Sequence, residues 1–312
     1  MSELSTLTAT AQWLSDHTFA VTLCFALFAF LVESAFRPGT GITASPQSAR
    51  HQWKSTWLTN VALLVCAMAV SWVLGLWVSP WFSEALSGRT GLLVWLGFDH
   101  GRSFAPVIIG IFLLDFVAYL LHRVMHSVPL LWRLHQVHHS DTAMNASTHF
   151  RQHPLSFIVT IALQLPILWL LGIPGISWVL YALLAAAVEL WHHSAMSLPP
   201  GLDRSLRWFV VTPTFHRTHH SRERKFHDAN YSAVFPVWDR LFGTVAAAPA
   251  DAPLGLRRWQ PTGAAGVVAV DACLAMPFRP LVLASAQTPV RAGNKLALRR
   301  GEIRRTNNRG KT

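Results

Sequence analysis

Charge is what this chain has least of. Only 13% of its 312 residues are Asp, Glu, Lys or Arg, while 52% are hydrophobic. Soluble globular proteins carry about 25% charged residues, so the deficit argues against an ordinary soluble domain and for a membrane protein. Cysteine is equally sparse. Cys24, Cys66 and Cys273 form no CxxC pair, which speaks against a disulfide framework and a thiolate metal site. There is no HExxH of a zinc peptidase, no GxGxxG, no P-loop and no CxxCH for covalent haem. Carboxylates are few near the histidines, which excludes a carboxylate-bridged di-iron site of the ferritin type. Residues 1–16 contain no Lys or Arg, so a cleaved signal peptide is not expected and the first apolar segment should remain as an anchor. Tyrosine is rare beside tryptophan, 3 against 14, and many of the tryptophans stand near the ends of apolar runs, where they suit interfacial anchoring.

What is present is length of apolar sequence. Spanning helices are expected over His17–Phe36, Trp57–Val78 and Phe104–Leu121, since a bilayer core needs about 20 apolar residues. Leu155–Leu171 and Ile176–Trp191 form a further apolar pair, split by a turn at Gly172-Ile173-Pro174-Gly175. Both arms are short, so the pair either crosses the bilayer as a thin hairpin or re-enters it. Leu92–Phe98 should rest on the outer interface. The net charge of +11 does not point to nucleic acid, because eight basic residues crowd into the last 22 positions and most others flank apolar segments. With the N-terminus outside, segments 37–56 and 122–154 hold 6 basic residues and the outer segments only Arg89 and Arg102, which places the former in the cytoplasm. Val267–Ser285 is interrupted by Asp271, Pro277, Arg279 and Pro280 and is expected to lie on the membrane surface. Arg291–Thr312 is expected to be a disordered basic tail.

The histidines carry the chemistry. Ten of the 16 lie in four groups at or just beyond the ends of apolar segments: His122 and His126; His135, His138 and His139; His192 and His193; His216, His219 and His220. His149 and His153 repeat the interval of four. Spacings of three and four put rings on one helix face, and imidazole ligates iron, zinc, copper or nickel. The topology drawn from hydropathy and basic residues brings every group to the cytoplasmic face. Single histidines near a membrane are usually ordinary hydrogen-bonded residues, but two HxxHH copies with an HxxxH need a shared partner, because unpaired polar rings at a bilayer are costly.

The ordered set Asp115, Tyr119, His122-Arg123, His126, then Leu131-Trp132-Arg133-Leu134-His135, His138-His139-Ser140, Ser147-Thr148, Arg151, His153-Pro154, Thr212-Pro213, His216-Arg217, His219-His220, Asn230-Tyr231 and Trp238-Asp239-Arg240-Leu241-Phe242-Gly243-Thr244 resembles the membrane fatty acid hydroxylase and sterol desaturase superfamily over about residues 104–245. Glu189, Trp191 and His193 add a likeness to its alkylglycerol monooxygenase branch. The resemblance implies an all-α, polytopic transmembrane helical bundle with a cytoplasmic histidine-rich metal-binding cap. It implies two iron ions, replaceable by zinc in a purified sample, held by His122, His126, His135, His138, His139, His193, His216, His219 and His220. At His149, His153 and His192, ligation and hydrogen bonding to a ligand's far nitrogen stay open. The chain departs from many relatives at Leu155-Ser156, Ala195 and Ser232.

Asp115, Tyr119, Glu189 and Asp239 are candidates to hold the far ring nitrogens, with an interhelical hydrogen bond or salt bridge as the alternative for Asp115. The expected organisation is an N-terminal anchor over 1–103, a di-iron domain over 104–245, and a surface segment with tail over 246–312. The function implied is oxygen-dependent hydroxylation or desaturation of a lipid, sterol-like or isoprenoid substrate. Its electrons derive from NAD(P)H through a separate ferredoxin, cytochrome or reductase, because no flavin, nicotinamide or iron–sulfur motif is present. A metal- or haem-carrying membrane protein without catalysis is the competing class.

Overall fold

The computed structural model describes residues 18–35, 46–87, 89–98, 104–259 and 268–279. Residues 1–17 and the basic tail Arg291–Thr312 lie outside the described residues, as do the expected end points His17 and Phe36. The described residues form helices and turns, with no β-strand beyond two isolated bridges, Ser221–Leu254 and Leu256–Trp259.

Five long helices make the bundle: α1 (Thr18–Ala35), α2 (Pro46–Ala85), α4 (Ala105–Ser127), α6 (Pro154–Leu171) and α7 (Gly175–His193), with the short α3 (Leu92–Trp95) between α2 and α4. Four of these helices are long and apolar enough to cross a membrane: the His51–Ala85 part of α2, and α4, α6 and α7. Both arms of the apolar hairpin are therefore of crossing length. The apolar part of α1, Ala20–Ala35, falls in a shorter class. Helix α2 outruns the expected Trp57–Val78 at both ends. Its 40 residues rise about 60 Å, because the polar stretch before Trp57 continues the helix past any bilayer.

Chain reversals put the same ends of these helices together. At one end Gly91 meets the α6–α7 turn at Gly172. Both have positive φ, 118° and 64°, and a Cβ on Gly91 would sit 2.4 Å from the Gly172 nitrogen, so neither position has room for a side chain. Beside them α3 buries Leu93 against Ile173 and Ala85 and leaves Trp95 exposed. At the other end Glu33, near the end of α1, accepts hydrogen bonds from the backbone of Ala146 (2.8 Å) and Ala195 (3.0 Å). Here also lie the C-terminal ends of α4 and α7, the N-terminal part of α2 around Asn60, and α5 (Pro129–His139).

A network around the fully buried Arg151 fixes this end. Its guanidinium donates to Val137 O, Ser140 Oγ, Asn60 Oδ1, Val268 O and Cys273 Sγ. The segment expected on the membrane surface is instead drawn inward. Val268, Cys273 and Met276 are buried against Leu63 and Val137, Arg133 donates to Pro277 O and His153 bonds Leu274 O. Val268, Cys273 and Met276 are covered by protein, while Phe278 stays exposed.

Candidate metal centre

Six elements deliver the histidines to this end. Helix α4 brings His122 and His126 on its last turns, α5 brings His135, His138 and His139, and α7 brings His192 and His193. The short α9 (Pro213–His219) and its C-cap bring His216, His219 and His220. A 3-10 turn (Ala146–Phe150) carries His149, and His153 precedes α6. Thr212 caps α9 through Phe215 N, and its hydroxyl donates to Asp203 (2.6 Å) on α8 (Pro200–Leu206).

The rings sort into two groups. His122, His126, His135, His139 and His219 form one, and His138, His193, His216 and His220 the other; within each, one nitrogen per ring lies within 4.8 Å of all the rest. All nine positions that the resemblance assigns are in these groups. The consecutive pairs His138-His139 and His219-His220 are each divided between them. Neighbouring helical residues point about 100° apart, so each HxxHH contributes rings to both groups.

Hydrogen bonding shows what the groups require. His122 Nδ1 donates to Tyr231 O, His193 Nδ1 to Glu189 O and His219 Nδ1 to Ala229 O, each at 2.7 Å. A neutral ring so committed presents only a lone pair at Nε2. Yet His193 Nε2 lies 3.2 Å from His138 Nε2 and 3.0 Å from His216 Nε2, which is itself 3.2 Å from His220 Nε2. One lone pair cannot serve two donors, so these contacts cannot all be hydrogen bonds. In the first group His122 Nε2 faces His135 Nε2 at 3.0 Å, and the buried His126 Nε2, His219 Nε2 and both nitrogens of His139 have no partner. A cation with bonds of about 2.0–2.1 Å to nitrogen holds its ligands about 3.0–3.4 Å apart. The observed spacing and the orphaned lone pairs both fit such an ion.

Burial, and then the neighbouring histidines, hold His135, His138, His139, His216 and His220 well below the ordinary imidazole value of 6.5; burial and then His122 do the same for His219. Neutral rings are what metal ligation needs. In the unfolded chain these rings take up protons near 6.5, and in the folded one only at lower pH. Stability should therefore be lost as pH falls below 6.5. Thermal unfolding of the metal-stripped protein in detergent is expected to show a midpoint that drops between pH 7 and pH 5. A flat profile over that window would contradict the buried neutral cluster.

The remaining expected residues take separate places. His153 is fully engaged, with Nδ1 accepting from Leu155 N and Nε2 facing Leu274 O. His149 Nδ1 pairs with Glu189 at 2.8 Å. His192 stacks near His216, with ring centroids 3.9 Å apart, and both its nitrogens are buried without a partner. None of the three joins either group. The carboxylate of Glu189 faces His149, and only its backbone oxygen meets His193.

Asp239 accepts from Tyr231 N and Ser232 N, both at 2.9 Å, and from Thr244 Oγ1 at 2.7 Å, where the Tyr119 hydroxyl also bonds. Asp115 touches no histidine. It accepts from Val234 N, Phe235 N, Trp238 Nε1 and the Tyr181 hydroxyl, so its contacts run to the 234–238 segment and to α7. Asp239 thus fixes the backbone of Tyr231, whose carbonyl in turn meets His122.

Three contributors were not assigned from the sequence. Asn230, at φ 55°, places the Ala229 and Tyr231 carbonyls on His219 and His122, and its amide bonds Phe215 O and Ala246 O. The tolerance of asparagine for this conformation was the available signal. His227 stacks on Trp132 with centroids 5.5 Å apart. Gln152 lies 3.3 Å from His138 Nδ1, and an ion on Nε2 requires the amide oxygen to face that ring nitrogen. A cavity of about 680 Å³ runs from His122, His135, His138, His193 and His216 to Leu64, Met68, Trp72 and Gln164 on α2 and α6.

Against known proteins, residues 107–244 match the fatty acid hydroxylase family. Alkylglycerol monooxygenase of Homo sapiens is 34% identical over 135 residues, 43% of this chain and 29% of that protein. Ornithine lipid hydroxylase OlsE of Rhizobium tropici is 32% identical over 139 residues, covering 44% and 41%. Fatty acid hydroxylase vlmA of a Lecanicillium species is 30% identical over 146 residues, covering 43% and 40%. Over residues 107–244 the chain is thus similar to the fatty acid hydroxylase family, and alkylglycerol monooxygenases are among the relatives it resembles. The chain spans less than half the length of these relatives. No solved structure matches it.

Proposed function

We propose that this chain is a membrane oxidoreductase that uses dioxygen to hydroxylate or desaturate a lipid, sterol-like or isoprenoid substrate at two histidine-held irons. The observation that carries this reading is the pair of buried imidazole groups at the end of a cavity that extends between membrane-length helices. His122, His126, His135, His139 and His219 would hold one ion and His138, His193, His216 and His220 the other. Bound iron supplies oxygen activation and C–H cleavage. The chain's own part is placement. Leu64, Ala67, Met68 and Phe157 offer an apolar wall for an acyl or isoprenoid chain, and Ala118 and Leu121 bring that wall up to His122. Tyr231, Ala229 and Glu189 carbonyls hold the Nδ1 protons that keep Nε2 free. The same apolar walls keep bulk water from the ions.

On this reading the organisation is an anchor over 1–103, the di-iron domain over 104–245 and a C-terminal region over 246–312. The basic flanks support a cytoplasmic histidine end, where a ferredoxin, cytochrome or reductase delivers NAD(P)H-derived electrons. The test is isotopic. Turnover should require dioxygen, NAD(P)H and a redox partner, and in a hydroxylated product the new oxygen should come from labelled O2. Label arriving from water would reject the oxygenase reading in favour of metal-assisted hydrolysis.

A further inference from the structure

Helix α4 serves as a depth gauge for the segment that follows the third histidine group. Arg123, beside His122, is the first exposed charge along α4, and a charge facing lipid belongs at or beyond the edge of the hydrocarbon. Asp115 lies about 10 Å and Phe112 about 15 Å back along the helix rise from His122. Both are met by chain that is not part of any spanning helix. Asp115 accepts from Val234 N and Phe235 N at 3.1 Å and from Trp238 Nε1 at 2.8 Å. Phe112 stacks on Phe235 with centroids 4.8 Å apart, and Phe116 lies 4.9 Å from Trp238 and 5.8 Å from Phe242. Residues 234–242 therefore run alongside the apolar stretch of α4 that precedes Arg123.

The outer side of this segment is apolar. Trp208 is 62%, Phe209 75% and Leu241 68% exposed, joined by Leu202, Val237 and Phe242. A soluble surface seldom presents so many large apolar groups together. The cations around the patch are Arg204, Arg207 and Arg240; the Arg240 guanidinium lies 4.3 Å over the Trp208 ring, and the acid Asp203 is buried and paired with Arg207.

The backbone is also arranged for a dry surrounding. Trp208, Phe209 and Val210 N–H groups donate to Ser205 and Leu206 carbonyls, and Val211 N donates to Val234 O at 2.9 Å. Tyr231, Ser232, Val234 and Phe235 donate to the two carboxylates of Asp239 and Asp115. Irregular chain at membrane depth is tolerated only when its polar groups are satisfied by protein.

We propose that residues 202–210 and 234–245 dip into the leaflet on the histidine side, with Trp208, Phe209, Val237, Leu241 and Phe242 against acyl chains and Arg204 at the headgroup phosphates. One wall of the metal centre is thus inserted in lipid and not presented to water or to a soluble redox protein.

The test uses the full chain in lipid nanodiscs, with Cys24 and Cys66 replaced by alanine and a nitroxide placed at F209C or L241C. Collision with dissolved oxygen should exceed collision with a water-soluble nickel chelate at both positions. The order should reverse at R224C, an exposed position at the start of α10 (Arg224–His227). W208C and V237C serve where a first variant fails to fold, as judged by retention of bound metal. Labels at 208, 209, 237 and 241 that favour the nickel chelate would overturn the proposal and leave the patch to a soluble partner. The readout is independent of turnover, so it stands or falls apart from the oxygenase assignment.

Discussion

Alanine at His138 is expected to empty one iron position and alanine at His219 the other. On the proposed di-iron reading, protein purified anaerobically should fall from two irons per chain to about one in each variant, and lipid oxidation should fall by more than about 100-fold, the upper end seen for removing mere supports of a ligand. His138 stands in the group with His193, His216 and His220, and His219 in the group with His122, His126, His135 and His139. The double variant should hold no iron. His153→Gln is the contrast, because both nitrogens of His153 are already engaged by Leu155 N and Leu274 O, and that variant should keep its iron. Metal analysis beside a turnover assay decides it. Full iron in both alanine variants would sink the two-group assignment.

Alanine at Asp239 should weaken iron binding without removing any ligand. The carboxylate holds Tyr231 N and Ser232 N at 2.9 Å, and Tyr231 O takes the Nδ1 proton of His122 at 2.7 Å. Without it two buried N–H groups lose their acceptor, a cost of about 2–6 kcal/mol, and the carbonyl that orients His122 is released. Iron affinity, measured by chelator competition, should drop about 10–100-fold, and the thermal midpoint should fall with it. Tyr119→Phe removes only the hydroxyl at the far side of Thr244 and should cost less than about 1.5 kcal/mol. Undiminished iron affinity in the Asp239 variant would mean that the Tyr231 carbonyl does not set the ring.

Much of this was legible in the sequence because it depends on local periodicity and composition. Apolar length marked α4 and the α6–α7 hairpin, and the histidine spacings marked every ring that falls in the two groups. What could not be read were features set by partners distant in the chain. The stretch around Val270 looks like a membrane-surface segment from its apolar content, yet Cys273 and Met276 are buried against Val137 and Leu63. Asp115 reads as an acid in a span; that its partners are backbone groups 119 and 120 residues away is invisible until the chain is folded. Asn230 was visible as a motif, but its role lies in a backbone reversal that aims two carbonyls at two rings.

By itself, then, the sequence determined that the chain is a helical membrane protein with enough aligned imidazole for more than one ion, because hydropathy and helical period are properties of short windows. Only the tertiary structure decided how the rings are shared. His135 and His139 go to one centre and His138 to the other, while His216 and His220 go to the second and His219 to the first. Positions four apart on a helix share a face and the ring three along points to its flank. Which group of rings each face joins is set by the packing of α4, α5, α7 and α9 against one another, and no single helix contains that information.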